Sequence, residues 1–185
     1  MADRLAELAG HLRQDARIAG SHLLLTVLGG SIYLPPTVRK LIYRRAGAPV
    51  ESPPGFGFRF AGRPANLRVG PDVYFNQRVF IEAVGPVVIG SGCAFGMEVM
   101  VVTSHHELGT DGRWSIEATG RGVTIGDRVW VGARAMILPG AVVEDDVVIA
   151  AGAVVTGRCR SGGVYAGVPA RRIRELVPAQ APPRA

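Results

Sequence analysis

Only two cysteines occur in 185 residues, Cys93 and Cys159, and they form no CxxC pair. A zinc cluster or a disulfide framework is therefore unsupported, and both read as reduced thiols. Aromatic residues are equally scarce, at 6%, so a core has to be assembled from many small aliphatic contacts. Long apolar runs are missing as well. The longest, Ser21–Leu34, is interrupted by Gly29-Gly30 and falls short of the roughly 20 residues of a spanning helix. It begins late for a signal peptide, and no A-x-A-like site follows it. These shortages predict a cytoplasmic chain whose N-terminal arm touches at most a membrane surface. The net charge of +6 comes mostly from arginine, but neither zinc-finger spacing nor an aromatic-basic RNP-type motif accompanies it, so no nucleic-acid partner is expected.

What is plentiful is small and aliphatic. Hydrophobic residues make up 48% of the chain and glycine occurs 25 times. An aliphatic residue recurs every six positions at Ile125, Val131, Ile137, Val143, Ile149 and Val155. Four residues after each of the first five comes a small or β-branched one: Val129, Ala135, Ala141, Val147, Ala153. A helix would repeat at 3.6 and a plain strand at 2. Six residues fit a short strand plus a turn, repeated so that each aliphatic stacks on its equivalent in the next coil. Upstream, Val69, Phe75, Ile81, Ile89, Phe95 and Val101 keep the frame apart from a two-residue slip between Ile81 and Ile89. A small excursion at Ala83–Pro86 and a large one at about 104–122 interrupt it.

This array, together with the closing AGVPARRIREL, resembles the hexapeptide-repeat acyltransferases, nearest the galactoside, maltose and nodulation-type sugar O-acetyltransferases. The resemblance covers roughly residues 60–177 and implies a left-handed parallel β-helix, a prism of three sheets. Handedness comes from the resemblance alone, since the general rule for parallel crossovers is right-handed. The expected organisation is an N-terminal helical arm and connection over 1–60, the β-helix over 61–170 with its loop at 104–122, and a short C-terminal helix with a disordered tail over 171–185. Within the arm, residues 1–28 show helical spacing of Leu5, Leu8, Leu12, Ala16 and Ala19. Thr37 is positioned to cap a second short helix, VRKLIYRRAG. The arm either packs across the open end of the prism or makes a peripheral membrane or partner contact.

Long excursions from a regular scaffold tend to carry function. The larger one opens VTSHHELGTDGRW and holds the only histidines outside the arm. Acyl transfer to a neutral hydroxyl needs a base with a pKa near the working pH, which suits histidine. The resemblance puts the base at His105, after Thr103-Ser104. The family usually has proline next, where this chain has His106, so His106 stands as the alternative. Asn76, in YFNQ, matches the asparagine these enzymes use near the acceptor hydroxyl. Tyr74, Glu82 and His106 are expected around the acceptor, and Trp130 near the thioester. Glu82-Ala83 stands where the galactoside enzyme has acidic acceptor contacts. The backbone N–H of Ala133, in VWVGAR, is the implied oxyanion donor.

The resemblance also implies acetyl-CoA as co-substrate, lying between neighbouring prisms of a homotrimer. Its pantetheine would contact Ala133, Ala151, Gly152 and Thr156, and its phosphates Arg158, Arg171 and Arg174, since guanidinium groups bind phosphate through paired donors. No metal is required, because the adjacent His105 and His106 cannot supply three zinc histidines on separate coils. The expected reaction is direct O-acetyl transfer to a hydroxyl of a sugar or glycoconjugate. A non-catalytic trimeric scaffold and acetylation of an antibiotic or an amino sugar remain as alternatives.

Overall fold

The computed structural model describes residues 2–176. From the first coil at residue 59, the chain winds through five coils that stack into three parallel sheets. Sheet one contains Arg59–Gly62, Phe80–Ala83, Met100–Val101, Met136–Ile137 and Val154–Val155. Sheet two contains Leu67–Val69, Val87–Ile89, Val123–Ile125, Val142–Val143 and Arg158–Cys159. Sheet three contains Tyr74–Phe75, Ala94–Phe95, Trp130–Val131, Val148–Ile149 and Gly163–Ala166.

The six-residue period is the origin of this arrangement. Ile125 pairs with Val143, Val131 with Ile149 and Ile137 with Val155, so each full coil advances the same place by three repeat units. All six side chains are buried, as are the corner residues Val129, Ala135, Ala141, Val147 and Ala153. Alanine and valine suit those corners because the chain turns there and leaves little inward room.

Turning every six residues puts strain on the backbone. Asp72, Arg78, Glu98, Arg128, Arg134 and Asp146 all have positive φ, between 55° and 60°, a conformation that costs a non-glycine residue about 1–2 kcal/mol. Five of these six residues pair with one another across neighbouring coils. Glu98 binds Arg78 at 2.5 Å and Arg134 at 2.7 Å, and Arg128 donates twice to Asp146 at 2.7 Å.

The N-terminal arm closes the core at its first coil. Helix α1 (Ala2–Ser21) runs into a π-helical segment, His22–Leu28, and α2 (Pro36–Arg45) follows. The Tyr43 hydroxyl donates to the Leu25 carbonyl at 2.9 Å, and its ring meets Phe58 and Phe60 edge-on. The sparse aromatics are thus concentrated at this end, with Phe75 stacked on Phe95 at 5.0 Å. Gly30 permits the close approach, since a Cβ there would lie 2.4 Å from the Phe58 carbonyl oxygen.

Three local expectations are corrected. Thr37 does not cap α2: the helix starts two residues earlier than expected, with Pro35 as its N-cap and Pro36 as its first residue. The excursion at 104–122 is an antiparallel hairpin, Ser104–Leu108 with Trp114–Gly120. The closing segment is not a helix. After the turn at residues 167–170, Arg171–Glu175 runs back as a strand antiparallel to Gly163–Ala166. That strand lies at the end of its sheet, and an edge with unpaired N–H and C=O groups outweighs the modest helix propensity of RRIRE. The disordered tail expected beyond Val177 lies outside the described residues.

Two outcomes follow from this packing. Ile137→Ala should cost about 2–5 kcal/mol in denaturant unfolding, because the side chain is fully enclosed between coils. Acid should weaken the corners. Glu98 is held below the ordinary carboxylate range by the Arg134 hydrogen bond and the Arg78 charge, Asp146 by Arg128, and Glu144 by the Ser161 amide and Arg158. Carboxylates depressed in the folded state stabilise it above the usual carboxylate pKa of about 4 and lose that contribution as pH falls below it. Melting temperatures recorded from pH 7 down to 2 should therefore drop below about pH 5, and less steeply for Glu98→Gln.

Candidate functional site

The candidate site residues fall at two of the three prism corners, which lie at opposite ends of sheet one. The corner from sheet three into sheet one is a stacked column held by backbone bonds: Asn76 N–H to Phe95, Gly96 to Val131, Gly132 to Ile149 and Ala150 to Tyr165. Gly96 is required there, since a Cβ would lie 2.5 Å from the Ala133 nitrogen. Asn76 uses its Oδ1 to accept from the Gln77 N–H at 2.7 Å, which leaves its amide hydrogens to donate outward. Ala133 is half-buried, and no described acceptor takes its N–H. Ala133, Ala151 and Gly152 line a groove of about 560 Å³ with Arg78, Met97, Glu98 and Arg134.

Sheet three presents an outward row beside this corner. Tyr74 pairs with Ala94, Ala94 with Trp130, and Trp130 with Val148. Tyr74 and Trp130 are both more than half exposed, an apolar surface that can face a ligand or a second chain.

The opposite corner, from sheet one into sheet two, stacks Val102, Leu138 and Thr156 through the bonds Val102 N–H to Ile137 and Leu138 N–H to Val155. The hairpin leaves here, and its base is tied down. The Glu82 carboxylate accepts from the Ser104 N–H at 3.0 Å and the Thr103 N–H at 3.3 Å. The buried Thr103 hydroxyl donates to the Glu82 carbonyl at 2.9 Å, and it accepts from Gly85 N–H at 3.0 Å. The excursion at Ala83–Pro86 seats the hairpin, since Gly85 and Gly120 touch backbone to backbone. Glu82 is thus spent on positioning the hairpin rather than left open for an acceptor.

The two histidines differ. His105 is half-buried and its ring makes no described hydrogen bond, while Thr119 Oγ1 donates to its carbonyl at 3.2 Å. His106 is exposed, its Nδ1 lies 2.8 Å from the Ser115 carbonyl and its ring meets Trp114 edge-on at 5.6 Å. A carbonyl can only accept, so that contact fixes Nδ1 as the protonated nitrogen and leaves the Nε2 lone pair free. His106 thus has an oriented ring with one nitrogen unengaged, whereas the His105 ring is not oriented by any described hydrogen bond.

The arginines expected on phosphate divide likewise. Arg158 is engaged with Glu144 at 2.8 Å. Arg171 and Arg174 are exposed on the returning strand, Arg171 donating to the Ala170 carbonyl and Arg174 without a described side-chain partner. The cysteines take no part. Both are buried and free, and burial pushes the Cys159 thiol up to about 11. Among the described residues, no three His, Cys, Asp or Glu side chains gather as they would around a metal ion, and no helix is long and apolar enough to cross a membrane.

Residues 122–157 match the family model described as bacterial transferase hexapeptide (six repeats). A Dictyostelium discoideum protein with a provisional acetyltransferase name is 32% identical over 148 residues, 80% of this chain and 67% of that one. The galactoside O-acetyltransferase of Escherichia coli (strain K12) is 34% identical over 116 residues, covering 60% of this chain. The match spans only 55% of that relative's own length. Among solved structures, a maltose O-acetyltransferase from Clostridium difficile 630 superposes with a TM-score of 0.73 at 25% identity, over 88% of each chain. The stacked coils, the repeat and these relatives agree, and the chain belongs to the hexapeptide-repeat transferase family.

Proposed function

We propose that this protein is a coenzyme A-dependent O-acetyltransferase that passes an acetyl group directly to a hydroxyl of a sugar or glycoconjugate. The observation that carries the reading is the hairpin at the prism corner, which presents His106 with its Nδ1 on the Ser115 carbonyl and its Nε2 unengaged. The relatives named for galactoside and maltose acetylation support the acyl group and the acceptor class. The base takes the acceptor proton as the hydroxyl oxygen attacks the thioester carbonyl. The Ala133 N–H donates to the oxyanion, the C–S bond breaks, and the proton passes to the departing thiolate. Asn76 donates toward the acceptor, and Arg171 and Arg174 meet the coenzyme phosphates.

Asn76 and Ala133 occupy one corner of the prism while His105, His106 and Thr156 occupy the other. A neighbouring copy that sets its hairpin corner against the Ala133 corner would complete the set, which supports a homotrimer with sites between subunits. Residues 22–50 carry four cations and no carboxylate and expose Leu23, Val27, Leu28, Ile32 and Tyr33, which favours a peripheral contact with an anionic membrane.

The reading is tested by thiol release from acetyl-CoA over a panel of sugars. His106→Ala should lower acceptor-dependent release at least a hundredfold, with His105→Ala affecting it less than tenfold. The reverse order would return the base to His105, and no acceptor-dependent release would favour the scaffold alternative. Co-expressed His106→Ala and Asn76→Ala chains should regain activity that neither variant has alone. Failure of that complementation would place both residues of a site on one chain.

A further inference from the structure

Arg39 is 3% exposed, and its Nε and Nη1 atoms are buried without a hydrogen-bond partner. Among the described residues no carboxylate pairs with it, and its compensation is the Phe56 ring, 4.5 Å from the guanidinium carbon. A buried cation left this way is costly, because water has been removed and nothing has replaced it. Desolvation draws its pKa below the ordinary value, yet a guanidinium stays charged in proteins.

The position of Arg39 gives that cost a use. It lines a cleft of about 350 Å³ whose other walls include Phe56, Tyr74, Asn76 and Gln77, and no Asp or Glu lines it. Gly55 lets this segment pack directly on the first coil: a Cβ there would lie 2.3 Å from the Phe75 carbonyl oxygen and 2.7 Å from that of Asn76. Arg39 comes from α2 and Tyr74 and Asn76 from the first coil, so the arm that closes the core also delivers an unpaired cation to the acceptor corner. A neutral hydroxyl can accept from a guanidinium, but only an anion also balances its charge.

We infer that this cleft is an anion subsite of the acceptor, in which Arg39 binds a carboxylate or phosphate carried by the sugar while Asn76 and Tyr74 border the sugar itself. The assignment rests on the acetyl-transfer reading for the word acceptor, but the anion site can be measured without transfer. Phe56 supplies an apolar wall that strengthens the charged hydrogen bond, and Arg39 is a specificity determinant rather than a participant in bond breaking.

The experiment uses the full chain with arginine side chains labelled by nitrogen-15, titrated with D-glucuronate, D-glucose 6-phosphate and D-glucose. A saturable shift of the Arg39 Nε–H signal with either anion, at least tenfold tighter than with glucose, is expected, and the stronger of the two identifies carboxylate or phosphate as the source. Loss of that shift in Arg39→Gln and its partial retention in Arg39→Lys would support the guanidinium as the receptor. If the variants do not fold, the comparison of charged and neutral sugars on the wild type decides alone. Equal response to all three sugars, or a signal that follows protein concentration because a second copy's carboxylate fills the cleft, would overturn the inference. Thiol release run beside it separates the two readings. Anion binding without acetyl transfer to any sugar removes the proposed activity and keeps the site, whereas transfer that ignores sugar charge keeps the activity and removes the site.

Discussion

No coil of this protein can bury anything alone. Its strands are mostly two or three residues long, and an aliphatic side chain leaves water only when the equivalent residue of the next coil covers it. Burying one such side chain is worth roughly 1.5–3 kcal/mol, and the stack repeats this over five coils and three sheets. The rest of the structure depends on that repetition. It explains the scarcity of aromatic residues, which would not fit a uniform coil, and their collection at the first coil, where the N-terminal arm must close an irregular end.

A regular stack needs sharp corners, and those corners shape the surface. Left-handed backbone at six non-glycine residues is a liability, and the Arg78–Glu98–Arg134 and Arg128–Asp146 contacts offset it at five of them. Single exposed pairs of this type contribute little, but these recur in register with the coils they join. The same corners expose backbone amides at fixed spacing. At Ala133 this produces a donor that needs no rearrangement, because the coil below and the coil above hold it.

The candidate site residues gather where the repeat is broken or ended. The hairpin interrupts the third coil and carries both histidines, and Glu82, Thr103 and the Gly85–Gly120 contact anchor its base to the preceding excursion. Two breaks in the frame that look independent along the chain are thus one structural unit. The arm ends the stack and brings Arg39 beside Asn76, so the candidate chemistry draws on the termination of the fold as much as on its regular part.

The sequence by itself determined the six-residue period, the aliphatic stack, the two excursions and the pair of histidines, because each depends on residue type at short and regular spacing. The resemblance carried by that repeat also marked Asn76 and Ala133, which the folded coil places at one corner. Only the tertiary structure distinguishes the surroundings of His105 and His106, since the hairpin register brings back a carbonyl nine residues away to meet the His106 ring. Likewise, Glu82 became an anchor, Arg158 paired with Glu144, and the final segment became a strand through contacts with residues distant in the chain. Arg39 reads as one more cation on a basic helix until packing buries it. Local pattern specifies which face turns inward, but charge pairing, ring tautomers and edge pairing depend on neighbours that only the folded coil supplies.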